Sequence, residues 1–96
     1  YDDVIHDGEM QFDAAVNPEI SSIKMPNSKL FGDANVFIFP DLNSANIAYK
    51  ITNHLAGYQS LGPILIGLNK PVNDLSRGCS VEDIIYVSAI TAIQSN

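Results

Sequence analysis

The chain holds one cysteine (Cys79), one arginine (Arg77), two histidines and no tryptophan, and each scarcity removes a class of explanation. A single thiol has no partner for an internal disulfide, so no bridge framework holds the fold. His6 and His54 lie far apart with no ligand spacing around them, which argues against a structural zinc site. Charged residues are also few, at 17%, and their balance is acidic, with a formal net charge of −6. A nucleic-acid or anionic-membrane binder would carry a basic face; here an anionic ligand must be captured by local geometry against the overall field. The longest apolar runs, Val36–Phe39 and Ile64–Leu68, are too short to span a bilayer. No signal-peptide pattern opens the chain, Tyr1 is not a native start, and the expected location is cytoplasmic.

What is present is a collapsible α/β pattern of 96 residues, one small domain at most, with 46% hydrophobic residues and no internal repeat. Asp2, Asp3, Asp7, Glu9 and Asp13 make the start acidic, a solvated face around the short strand candidate Val4-Ile5-His6 and the turn pair Asp7-Gly8. Asn17-Pro18-Glu19 reads as a helix start: Asn as N-cap, Pro at the first helical position and Glu in the first turn. That helix runs to about Lys24, where Met25-Pro26-Asn27-Ser28 stops it. Val36–Phe39 and Pro63–Leu68 are continuous apolar runs, as expected of strands buried on both faces of a parallel sheet. Between them Ile47, Ile51 and Leu55 recur every four residues, predicting a helix from Asp41 or Asn43 to Ala56 with Gly57 closing it. Strand, helix and strand make one βαβ unit with a right-handed crossover. A last helix starts at Ser80 and is apolar nearly all round, through Val81, Ile84, Ile85, Val87, Ala89, Ile90, Ala92 and Ile93. Such a helix must be surrounded by other structure, so the chain reads as a portion of a larger α/β core or as an obligate oligomer.

The chemistry is sought in the connection Asn69–Cys79, long for a link between strand and helix. Arg77 lies past a strand's carboxyl end and close to a fresh helix N-terminus, a place suited to phosphate or carboxylate. Its plainer reading is a surface pair with Asp74 or Glu82. Ser76 either donates to an anion or closes a local turn. Ser80-Val81-Glu82-Asp83 has the form of a capping box, so Asp83 is a helix-capping carboxylate, a general base beside the cleft, or both. Cys79 lacks an evident His-acid partner and reads as inert packing. Pro40–Asn46 ends the other strand; Asp41 and Asn43 are N-cap candidates there, or a second wall of the cleft.

At these residues the chain resembles a known family. Asn35-Val36-Phe37-Ile38-Phe39-Pro40-Asp41-Leu42-Asn43-Ser44, Ile47-Ala48-Tyr49-Lys50, Gly62-Pro63-Ile64-Leu65, the run Gly67 to Gly78 with Asn73-Asp74-Leu75-Ser76-Arg77, and Cys79 to Asp83 are similar to phosphate acetyltransferase, also called phosphotransacetylase. Gly8–Ala15 with Asn17-Pro18-Glu19 looks like the family's upstream segment. The resemblance implies a three-layer αβα fold with a mostly parallel sheet, isocitrate/isopropylmalate dehydrogenase-like, of which this chain is a partial, carboxyl-terminal piece. It implies that residues 1–62 close the inserted second domain, and that 63–96 supply the last strand, active-site loop and helix of the first. The implied reaction interconverts acetyl-CoA and phosphate with CoA and acetyl phosphate by direct transfer in a ternary complex. No metal, cofactor or covalent acyl-enzyme takes part, and coenzyme A enters as a substrate. Carried onto this chain, the catalytic residues are Asp83, which removes the thiol proton, and Arg77 and Ser76, which bind phosphate and stabilise developing charge. Asn43 and Asn73 join Arg77 and Ser76 as substrate-binding candidates. A homodimer is implied, and a piece this short is expected to be inactive alone. Two alternatives remain open: a non-catalytic anion- or CoA-binding or dimerisation piece, and a phosphate butyryltransferase-type enzyme.

Overall fold

The computed structural model describes residues 3–96, which contain four helices: α1 (Phe12–Val16), α2 (Pro18–Lys24), α3 (Leu42–His54) and α4 (Val81–Gln94). The chain divides after Pro40 into two compact units.

In the first unit α2 begins and ends where the sequence predicts. The Asn17 side-chain oxygen accepts from the N–H groups of Glu19 at 2.9 Å and Ile20 at 3.2 Å, and Pro18 occupies the first turn, where its missing N–H leaves no bond unmade. Helix α1 is an addition that the sequence pattern does not announce. It is a single turn without a side-chain cap, and it persists because Ala14 and Ala15 are buried against α2. Lys24, in the last turn of α2, donates to Asp13 at 2.6 Å and also to Gln11, tying the two helices together across their exposed side. Phe12 and Phe37 stack at 5.2 Å between ring centroids, and Ala34 N–H donates to the Ala15 carbonyl at 3.0 Å. The returning loop passes so close to the α1–α2 junction that a Cβ on Gly32 would stand 2.5 Å from the Asn17 carbonyl carbon and the Pro18 nitrogen. Gly32 also has φ +75°, so glycine is required there twice over. The strand expected at Val4-Ile5-His6 is not formed: Val4 lies in a bend, and the His6 ring nitrogen Nδ1 meets the Val4 carbonyl at 2.9 Å.

In the second unit α3 starts at its expected cap. Asp41 Oδ1 accepts from Ser44 N–H at 2.8 Å, and the Ser44 hydroxyl donates to the Asp41 carbonyl at 2.9 Å. The helix closes as the N–H groups of Leu55 and Ala56 both turn to the Ile51 carbonyl, and Gly57 at φ +72° carries the chain away. Tyr49 Oη, donating to the Ser60 carbonyl at 3.3 Å, holds the departing segment to α3. Helix α4 starts at Ser80, as expected.

The sheet is the principal departure. Among the described residues there is no β-strand, so the parallel sheet expected from Val36–Phe39 and Pro63–Leu68, and the βαβ unit built on it, are not formed within this chain. A strand exists only by pairing, and neither run has a ladder partner. Both are left facing outward, with Ile38 91% and Ile66 87% exposed. The helices share the condition. Among the described residues α3 and α4 do not touch, the Ile47-Ile51-Leu55 stripe of α3 is exposed, and Val87 is the one fully buried residue of α4.

Replacing glycine by alanine separates close approach from backbone conformation. Gly57→Ala meets nothing within 4 Å and bears only the left-handed conformation, about 1 kcal/mol. Gly32→Ala adds a backbone clash and costs about 2 kcal/mol or more. Denaturant midpoints of the two variants check this order, and equal losses would refute it.

Candidate active site

The N-terminus of α4 is built by two reciprocal bonds. The Ser80 hydroxyl accepts from Asp83 N–H at 3.1 Å, and Asp83 Oδ2 accepts from Ser80 N–H at 2.8 Å. The capping role predicted for Asp83 is therefore present. These bonds, the Ser80 backbone N–H first and its hydroxyl second, hold the Asp83 carboxyl below the ordinary aspartate range, against an opposing contribution from burial. Asp83 is thus held as the ionised carboxylate, the form that accepts a proton, although its basicity in this setting is weak.

Immediately before the cap, Cys79 N–H donates to the Ser76 carbonyl at 3.0 Å, closing the turn Ser76-Arg77-Gly78-Cys79. Gly78 N–H donates to Ser76 Oγ at 3.3 Å, so the local turn reading of Ser76 is realised. Gly78 is outside the left-handed region, which excludes a type II turn. Arg77 occupies the second position, with its side chain exposed. Among the described residues the one ion pair joins Lys24 to Asp13, so Arg77 is held by neither Asp74 nor Glu82. Asp74 instead accepts from Leu75 N–H at 2.8 Å. Cys79 is half-buried.

Asn73 is the best connected of the candidates. Its Oδ1 accepts from Leu65 N–H at 2.8 Å, and its Nδ2 donates to Thr91 Oγ1 at 2.8 Å and to Gln94 Oε1 at 2.7 Å. Asn43 stands exposed in the first turn of α3, and Asp41 is the residue that caps that helix. Among the described residues no hydrogen bond joins this turn to the Asn69–Cys79 loop, whereas Ser76, Arg77 and Asp83 share one continuous turn-and-cap segment. Thr91 and Gln94, which complete the Asn73 network, belong to no motif. Their signal is a polar stripe, Ser88, Thr91 and Gln94 at every third position of a helix that is otherwise apolar beyond its first turn.

A hollow of about 350 Å³ in the first unit is lined by Asp7, Lys24, Met25, Pro26, Asn27 and Ser28, none of them a candidate catalytic residue. Among the described residues no helix is long and apolar enough to cross a membrane.

Comparison with known proteins gives this segment a setting. The family model described as phosphate acetyl/butaryl transferase matches residues 2–92, and the chain belongs to that family. A phosphate acetyltransferase of Staphylococcus epidermidis is 57% identical over 94 residues, covering 98% of this chain and 29% of the relative. One from Staphylococcus aureus is 58% identical over 93 residues, covering 97% and 28%. The solved structure described as EutD phosphotransacetylase from Staphylococcus aureus superposes with a TM-score of 0.83 at 59% identity, over 94% of this chain and 27% of that one. The chain therefore spans less than a third of the length of the relatives it matches.

Because the Asp83 carboxyl is lowered in the folded state, its capping contribution is present above the unfolded aspartate value of about 4 and is lost as pH falls through the lower folded value. Asp83→Asn removes the charge that gains from the cap. The variant should be less stable than the wild type at neutral pH, with the gap closing in acid below about pH 4. Hydrogen exchange in the first turn of α4 across this range measures the gap, and a difference independent of pH would contradict it.

Proposed function

We propose that the complete protein containing these 96 residues is a phosphate acetyltransferase, interconverting acetyl-CoA and phosphate with CoA and acetyl phosphate. The observation that carries this reading is the unbroken segment in which an exposed, unpaired Arg77 runs directly into the capped carboxylate of Asp83, in a chain 57% identical to a protein of that name. Asp83 takes the proton of the CoA thiol, and the thiolate attacks the carbonyl carbon of acetyl phosphate. The new C–S bond forms as the acyl C–O bond breaks, phosphate departs on its bridging oxygen, and the proton held by Asp83 passes to that phosphate. Arg77 balances the charge of the leaving phosphate, and the Ser76 hydroxyl supplies a further hydrogen bond as charge develops. Burial of Asp83 beneath the rest of the protein opposes the capping bonds and raises its basicity towards that of a working base. Asn43 contributes to substrate binding beside Arg77 and Ser76, and Asn73 contributes indirectly, through the loop that carries them.

In this reading the parent protein has the three-layer αβα architecture with a mostly parallel sheet. Neighbouring strands pair with Val36–Phe39 and Ile64–Leu68, and the domains meet near Gly62 and Pro63, with residues 1–62 in the second and 63–96 in the first. It acts in the cytoplasm as a homodimer. The apolar faces left open on α3 and α4 support membership of such an assembly. A butyryl-transferring enzyme remains the second reading, since the family description covers both acyl groups; the names of the relatives favour acetyl.

Thioester formation from CoA and acetyl phosphate tests the assignment. The complete protein should be active and the 96-residue chain alone inactive or nearly so. Arg77→Ala should lower kcat/KM by roughly 10²–10³-fold, and Asp83→Ala by roughly 10²–10⁴-fold. Ser80→Ala breaks the cap but keeps the base, and should cost only a few-fold. If Asp83→Ala proves no worse than Ser80→Ala, Asp83 is a cap and not the base.

A further inference from the structure

We propose that Asn73 is a positioning residue: its side-chain amide, locked between Leu65 and α4, fixes the loop that presents Arg77 to its anion. The proposal rests on the acyl-transfer reading above.

A primary amide has two N–H donors and one carbonyl acceptor. In Asn73 both donors are spent, on Thr91 Oγ1 at 2.8 Å and Gln94 Oε1 at 2.7 Å, and Oδ1 accepts from Leu65 N–H at 2.8 Å. The groups an amide would offer to an anion are its N–H donors, and neither is free. The directions are also determined. The Thr91 hydroxyl donates its own hydrogen to the Val87 carbonyl at 2.7 Å, so towards Asn73 it acts as an acceptor. Gln94 Nε2 reaches the Leu65 carbonyl at 3.5 Å, closing a ring of Leu65, Asn73 and Gln94. Turning either amide end for end would set donor against donor, so the ring has one orientation.

No other side chain in the loop reaches as far. Asp74 bonds to Leu75 and Ser76 to Gly78, both local. Among the described residues Asn73 alone ties the Asn69–Cys79 loop both to the segment before it and to the helix after it. The loop's other end is fixed at the Ser80 cap. Ser76 and Arg77 are thus suspended between two anchors. Releasing the first leaves the guanidinium on a chain tethered at one end, and small misplacements of a positioning group are costly.

The test uses the complete protein and variants at Gln94, which lies on α4 and belongs to no proposed binding surface. Asn73→Ala should weaken inorganic phosphate binding and raise KM for acetyl phosphate about 10-fold or more, and Gln94→Leu, which leaves the bonds to Leu65 and Thr91 in place, should act in the same direction to a smaller degree. KM for CoA should change far less. The double variant should be little worse than Asn73→Ala alone, because both break the same ring. Gln94→Glu keeps the oxygen that accepts from Asn73 and should recover most of the loss. Exchange of the Leu65 backbone N–H should quicken in Asn73→Ala. If Asn73→Ala weakens phosphate binding while Gln94→Leu does not, Asn73 is itself a ligand and the proposal is overturned. A parallel loss for phosphate and CoA, proportional to the folded fraction, also overturns it, leaving a purely structural residue. Direct phosphate binding keeps two failures apart. Binding that depends on Gln94 in a protein forming no acetyl-CoA upholds the positioning role and sinks the acyl-transfer reading; binding indifferent to Gln94 in an active protein does the reverse.

Discussion

An apolar helix contributes to stability only where something covers it, and α4 is covered along little more than the line of Val87. Val81, Ile84, Ile85 and Ile93 on α4, with Ile47, Ile51 and Leu55 on α3, are all between 45% and 82% exposed. Burying side chains of this kind is worth about 1.5–3 kcal/mol each, so covering the set is worth on the order of 10 kcal/mol, comparable to the whole stability of an ordinary domain. Among the described residues, those that the chain buries are small: Ala14, Ala15, Ser21, Ser28 and Gly32 in the first unit, and Val87 in the second. The dominant driving force for folding this sequence therefore lies in surfaces that the chain does not itself supply. Its relatives are more than three times as long, so their length allows for such surfaces.

Against that constraint, the elements that form are those sustained by local bonds. Helices α2, α3 and α4 all begin at a capping side chain, Asn17, Asp41 and Ser80, whose partners lie two or three residues away. These starts were legible in the sequence because cause and effect sit within one helical turn. Helix α1 was not legible: its reason for existing is the burial of two alanines against α2, and alanine carries no periodic signal. The strands failed for the opposite reason. Val36–Phe39 and Ile64–Leu68 have strong β-forming composition, but a ladder is a property of two segments, and composition reports on one.

The candidate site divides in the same way. Ser76, Arg77 and Asp83 stood out by rarity, by position and by resemblance, and the structure sets them on one short segment of turn and cap. The capping reading of Asp83 is realised in its bonds to Ser80, and those same bonds lower its basicity, so the base reading depends on coverage by further structure. The part played by Asn73 was hidden. It was nameable as a polar loop residue, but its partners lie eight residues back and eighteen and twenty-one ahead. Only the stripe Ser88-Thr91-Gln94 hinted that one face of α4 is reserved for hydrogen bonds, and a stripe alone does not say with what.

The ring around Asn73 also bears on how a strand can join this chain. In an extended segment the N–H and C=O of one residue point to the same side, and those of its neighbours to the other. At Leu65 both groups are taken, the N–H by Asn73 and the carbonyl by Gln94, so two side-chain amides stand where a neighbouring strand's backbone would be. A strand pairing through the Leu65 N–H and carbonyl would have to displace both amides, which blunts that edge as a covering loop does. One asparagine thus does two jobs with one set of bonds: it closes one side of the segment that precedes the loop, and it holds in place the loop that carries the arginine.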